Sequence, residues 1–108
     1  MSIILITSYY RTENSERNSE IDYVLRRNVS SGLFEKIILF CDPTVIPNIS
    51  HESIQIFDFI GRPKYSDFFH KGNEYEGKYI VIANSDIFFD ESILKIKRFS
   101  NDRFLAIT

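Results

Sequence analysis

Apolar residues in this chain fall into short, nearly unbroken runs, separated by stretches in which they recur at helical spacing. The runs are Ile3–Ile6, Ile37–Phe40, Ile54–Phe57, Tyr79–Ala83 and Phe104–Ile107, mostly β-branched or aromatic, and they predict five strands. Their near continuity, rather than strict alternation, is the pattern of strands covered on both faces. Between the first two runs, Ile21, Val24, Leu25 and Val29 lie on one face of a predicted helix. Asn14 and Ser15 supply its cap, Glu16 and Glu20 suit its positive end, and Gly32 stops it. Asp22 and Arg26 are spaced for an i, i+4 ion pair on its surface.

A second helical pattern, Tyr65, Phe68, Phe69 and Tyr75, follows Pro63 and runs to Gly77. Gly72 inside it is expected to cost about 1 kcal/mol relative to Ala. Residues 43 to 53 hold Pro43, Pro47 and Asn48 and predict a loop where a crossover helix would otherwise stand. Residues 91 to 98 read as a short helix capped by Asp90, although Leu94, Ile96 and Arg98 also alternate as a strand would. The resulting order, β-α-β-loop-β-α-β-α-β, predicts a Rossmann-like α/β fold: a mostly parallel open sheet with right-handed crossovers and helices on both faces. A strand order of 3-2-1-4 puts the ligand crevice at the ends of strands one and four, where the order reverses.

At 108 residues, 44% of them hydrophobic, the chain holds one domain with a real core. Its formal charge of -2 gives no broad positive field, so nucleic acid is not an expected partner. The run Ile3–Ile6 is too short for a membrane span or a signal segment. Cys41, the single cysteine, reads as a buried thiol, and its inability to form an internal disulfide points to a reducing, cytoplasmic setting. His51 and His70 have no acidic or cysteine partner at metal-ligand spacing and are assigned no chemistry.

Candidate chemistry gathers at the two strand ends that the topology brings together. The fourth run leads into Asn84-Ser85-Asp86, where a carboxylate on a rigid strand end can bind Mg²⁺ or Mn²⁺ through hard oxygens, with the remaining positions filled by phosphate and water. This segment resembles the fourth-strand Asp-x-Asp motif of the GT-A glycosyltransferases, family 2-like members in particular. The resemblance implies that Asp86 is the metal ligand and the catalytic residue. It also implies that Asn84, in place of the first acidic residue, orients the ribose through its amide. The first strand leaves through Thr7-Ser8-Tyr9-Tyr10-Arg11, where the family cradles a uracil and its ribose. Tyr9 or Tyr10 is then the stacking face, the other packing beneath the loop, and Arg11, in preference to Arg17, faces the phosphates.

The same resemblance puts Asp42 at the pyrimidine edge and one of Arg62 and Lys64 against the diphosphate. Thr7 and Ser85 complete the nucleotide contacts. Asp67 reads as a first-turn residue complementing its helix dipole, and Asp90 as a cap. Complete family members continue past the fifth strand into an acceptor-binding half, so the resemblance covers only the donor-binding half. The expected function is therefore metal-dependent transfer or hydrolysis of sugar from a nucleoside-diphosphate sugar, UDP-sugar first among them, with a homodimer or partner chain supplying an acceptor site. One alternative is a non-catalytic sugar-nucleotide-binding module. Another is a haloacid-dehalogenase-like phosphatase with Asp42 as nucleophile, which the presence of Thr44 where such enzymes carry a second aspartate argues against.

Overall fold

The computed structural model of the protein describes residues 2–95 and 103–107. The elements are β1 (Ile3–Tyr9), α1 (Ser15–Ser30), β2 (Lys36–Cys41), β3 (Ile54–Asp58), α2 (Tyr65–Gly72), β4 (Tyr79–Ala83), a single 3-10 turn (Glu91–Lys95) and β5 (Phe104–Ile107). The five strands form one all-parallel sheet in the order β3-β2-β1-β4-β5, an open Rossmann-like α/β arrangement. The order reverses beside β1, with Ile6 paired to Ile38 on one side and to Ile82 on the other.

Burial follows from that central position. Ile3, Ile4, Leu5 and Ile6 are all at most 1% exposed, because alternate side chains enter two separate cores. Ile3, Leu5 and Tyr9 pack with Ile21 and Leu25 of α1 and with Ile37, Leu39 and Val81. Ile4 and Ile6 face the opposite way, onto Ile38, Phe40, Ile80, Ile82 and Phe68 of α2. The helices thus cover opposite faces. Each fully buried aliphatic side chain contributes about 1.5 to 3 kcal/mol relative to exposure. Phe40 centres an aromatic group on the α2 face, with Phe57 and Phe68 each at 4.8 Å and Phe59 at 5.4 Å between ring centroids.

Local chemistry sets the helix limits. The Asn14 side chain accepts from the backbone N–H groups of Glu16 and Arg17 at 2.9 and 3.1 Å, and α1 ends where Gly32 takes a positive φ of 67°. The carboxylate of Asp67 reaches back to the Lys64 backbone N–H at 2.7 Å, satisfying one of the orphan donors that open α2.

Three expectations are corrected here. α2 stops at Gly72 instead of running on to Gly77; Tyr75 is reached by a turn in which its N–H donates to the Gly72 carbonyl at 3.0 Å. Gly72 is also more than a weak helix former. A Cβ there would lie 2.7 Å from Cε1 of Phe104, so the missing side chain lets α2 settle against β5. Asp22 does not pair with Arg26 on the surface; it turns inward, as described below. The short helix expected over 91 to 98 is a 3-10 turn over Glu91–Lys95, with Ser92 N–H held by Asp90 at 2.9 Å, and its remainder lies outside the described residues. Residues 42 to 53 cross from β2 to β3 without a helix, Val45 and Ile49 packing against the core.

Candidate functional site

A crevice of about 950 Å³ opens at the C-terminal ends of β1, β2 and β4, within the roughly 300 to 1,000 Å³ usual for ligand sites. Its floor is aromatic, from Phe40, Phe59 and Phe68, and its rim carries Tyr10, Arg17, Asp42, Arg62, Lys64 and Asn84. The rim residues come from opposite sides of the sheet, since Tyr10 follows β1, Arg17 lies in the first turn of α1, and Arg62 and Lys64 precede α2. An apolar floor beneath a rim with three cationic side chains and one acidic one suits an anion that also carries a flat or apolar part.

The two tyrosines divide as strand geometry requires. Tyr9 continues the inward series Ile3, Leu5 and is 1% exposed, whereas Tyr10 is 37% exposed and presents its ring to the crevice. The Tyr9 hydroxyl donates to Oδ1 of Asp22 at 2.5 Å. The Arg11 guanidinium pairs with that same oxygen, donates to the Asn18 carbonyl at 3.2 Å and lies 4.5 Å over the Tyr9 ring. Asn48, from the β2–β3 loop, donates its amide to Oδ2 at 3.0 Å. One carboxylate therefore ties β1, α1 and the crossover loop together. Asp22 needs these partners because an inward-facing charge is costly unless paired and hydrogen-bonded. The consequence for the expected roles is direct: Tyr9 has no open face for a base, and Arg11 is committed to Asp22.

Arg17, in the first turn of α1, lines the crevice as Arg11 does. Its Nη2 donates to the Tyr10 hydroxyl at 3.0 Å, and its Nη1 lies 3.2 Å from Glu20 and 3.5 Å from Oδ2 of Asp86. The Ser85 hydroxyl and the Arg17 guanidinium both favour the phenolate of Tyr10 and lower its pKa, against an opposing effect of burial.

Asp86 is not on the strand end itself: β4 stops at Ala83, and Asp86 sits in the turn beyond it, where the Ile87 N–H donates to the Asn84 carbonyl at 3.2 Å; its side chain is 35% exposed and does not line the crevice. A buried residue absent from the sequence reading fixes its loop. Asn28 of α1, 3% exposed, donates from Nδ2 to the Ile87 carbonyl at 3.1 Å and accepts at Oδ1 from the Phe89 N–H at 3.0 Å. An amide on the apolar stripe of α1, four residues past Val24, was the available signal, since a buried amide there must find partners.

Asp42 is at the crevice, but its Oδ1 accepts from the Thr44 backbone N–H at 2.9 Å and from the Thr44 hydroxyl at 2.7 Å. Those two bonds lower its pKa. Asn84 and Ser85 line the crevice, and Ser85 is buried. Thr7 is not brought to the crevice. It is 6% exposed, and its hydroxyl, without a partner among the described residues, borders a separate cavity of about 10 Å³, room for about one water, shared with Asn28, Asn84 and Ser85.

No three His, Cys, Asp or Glu side chains converge on one point among the described residues. Asp86 can still serve a hard divalent cation in the way diphosphate sites do, with one protein carboxylate and the remaining positions taken by phosphate oxygens and water. Its donor set fits such a shared ion and not an all-protein cage. No helix among the described residues is long and apolar enough to cross a membrane. Comparison with protein-family models, with curated proteins and with solved structures gave no match.

Proposed function

We propose that the crevice binds a nucleoside-diphosphate sugar, a UDP-sugar first among them, and that the protein transfers or hydrolyses the sugar as a minimal GT-A-like, metal-dependent enzyme of the cytoplasm. The observation that carries this reading is the pairing, at the β1/β4 switch point, of an open tyrosine face with a rim bearing Arg17, Arg62 and Lys64, the first of which reaches Asp86 in the turn after β4. Tyr10 stacks on the base, a contact worth about 1 to 3 kcal/mol in comparable sites. Asp42 accepts from the base edge, Asn84 holds the ribose hydroxyls, and Arg62 and Lys64 approach the diphosphate from the α2 side.

A divalent cation, when bound, supplies electrostatic stabilisation of the leaving diphosphate. Asp86 would hold that ion, with phosphate oxygens and water as its other ligands. The aromatic floor excludes water from beneath the sugar-phosphate bond, which strengthens each charge interaction above it.

A thermal-shift screen of nucleotides and nucleotide sugars, with Mn²⁺ and with EDTA, tests the reading. A ligand specific for the folded state adds about 2.7 kcal/mol at a hundredfold excess over its Kd. UDP and UDP-glucose should stabilise the protein more with Mn²⁺, and sugar release from labelled UDP-glucose should follow. Stabilisation without release would instead support a non-catalytic sugar-nucleotide module, and no stabilisation by any nucleotide would refute both.

A further inference from the structure

We infer that Arg17 is the phosphate-binding guanidinium of the crevice and that it trades Asp86 for the diphosphate, so that nucleotide binding frees Asp86 to accept a divalent cation. This rests on the nucleotide-sugar reading and specifies how its two charged ligands depend on each other. Two arginines from the β1–α1 region line the crevice, and their surroundings separate them. Arg11 has its charge neutralised by the inward-facing Asp22, and its plane is stacked on Tyr9. Arg17 is held by Tyr10 at 3.0 Å, while its acidic partners Glu20 and Asp86 are not part of the crevice lining.

The contact between Arg17 and Asp86 is a resting pair that a better anion displaces. At 3.5 Å it is longer than a charge-assisted hydrogen bond of roughly 2.7 to 2.9 Å, and both side chains are about one-third exposed, at 33% and 35%. A diphosphate offers more charge than one carboxylate and the planar oxygen pairs that a guanidinium matches. Tyr10 keeps the guanidinium at the rim during the exchange, because its bond uses Nη2 and the pair with Asp86 uses Nη1. Before the exchange, Asp86 faces a fixed positive charge, which opposes a divalent cation at the same oxygens. After it, the carboxylate and the phosphate oxygens are both available to one ion. Metal and nucleotide therefore bind with positive coupling, and metal alone binds poorly.

Calorimetry with inorganic pyrophosphate, UDP and Mn²⁺ alone, on wild type, Arg17→Gln and the exposed-helix control Arg26→Gln, tests this; both variants remove one positive charge. In EDTA, Arg17→Gln should lose about tenfold or more in affinity for pyrophosphate and UDP, the scale of one charge-assisted hydrogen bond. The same variant should bind Mn²⁺ alone more tightly than wild type, and Arg26→Gln should change neither affinity. Should Arg17→Gln fail to fold, Arg17→Lys, which keeps the charge but loses the fork, should show a smaller loss of pyrophosphate affinity in the same direction.

Equal pyrophosphate affinity for Arg17→Gln and Arg26→Gln overturns the inference while leaving nucleotide binding standing. Unchanged Mn²⁺ affinity in Arg17→Gln overturns the exchange with Asp86. A wild type that binds pyrophosphate as tightly as UDP overturns the nucleotide reading and leaves the role of Arg17 intact; binding of neither overturns both.

Discussion

Replacing Asp22 by Ala should destabilise the protein more than any single change at the crevice rim. The carboxylate accepts from Tyr9, Arg11 and Asn48. Its removal leaves the hydroxyl of Tyr9, a residue 1% exposed, with only a 3.4 Å contact from the Asn48 N–H. An unsatisfied buried hydroxyl costs about 1 to 3 kcal/mol. Arg11 loses its counter-ion but is 26% exposed and keeps the Asn18 carbonyl, so its share falls below the roughly 3 to 5 kcal/mol of a broken, fully buried pair.

Together these give about 3 kcal/mol for Asp22→Ala, which in a domain of this size lowers Tm by roughly 12 °C or more. Tyr9→Phe removes one bond from a carboxylate that keeps two others and should cost about 1 to 2 kcal/mol. Because the two changes delete the same bond, the double variant should cost clearly less than their sum. Urea unfolding followed by circular dichroism measures all three. A cost for Asp22→Ala below about 1 kcal/mol, or strict additivity with Tyr9→Phe, would refute the account of Asp22 as the tie between β1, α1 and the crossover loop.

Tyr10→Ala should weaken UDP binding by about tenfold while leaving pyrophosphate nearly unaffected, as calorimetry can establish; equal losses for both ligands would mean the loop itself had collapsed. Asn28→Ala leaves the Phe89 N–H and Ile87 carbonyl without their side-chain partner and should cost about 1 to 3 kcal/mol, measured by urea unfolding, with faster amide exchange at Phe89 than elsewhere in the loop. Tyr10 should titrate below the ordinary tyrosine value of 10.0 in a phenolate absorbance titration, and Arg17→Gln should move its midpoint back up. The sign follows from linkage: a depressed folded-state pKa adds stability only as the pH climbs through that value, and at neutral pH the protonated phenol adds none.

How far the amino-acid pattern reaches can be judged element by element. β1, β2 and β4 were legible because a central parallel strand buries both its faces, so its run has no polar breaks. The cap at Asn14 was legible because its chemistry is local. The end of α2 was not, since Tyr75 keeps helical spacing although the chain has already turned at Gly72. At the site, Tyr9 was separable from Tyr10 in principle, as strand parity puts Tyr9 with Ile3 and Leu5. That inference required knowing that β1 persists to residue 9. The roles of Arg11 and Arg17 depend on Asp22, whose neighbours at positions 9, 11 and 48 meet only in three dimensions. Nothing in the local spacing of Asp22 and Arg26 signals that the carboxylate turns inward.

The strand order carries a consequence for how the chain acquires its shape. β1 is the middle of the sheet, and its register joins Ile3 to Tyr79 on one side and Ile4 to Lys36 on the other. β1 precedes both of its partners in the chain and thus stays half-paired until β4 follows. Its row of isoleucines is exposed meanwhile, and closing so long a loop makes such parallel pairing slow. The same wait applies to the crevice, because its β1 and β4 walls meet only when β4 docks. Variants that weaken β4 should therefore lengthen the lifetime of a sticky, half-assembled species, and show their defect first as aggregation during synthesis or refolding, before any loss in the finished protein.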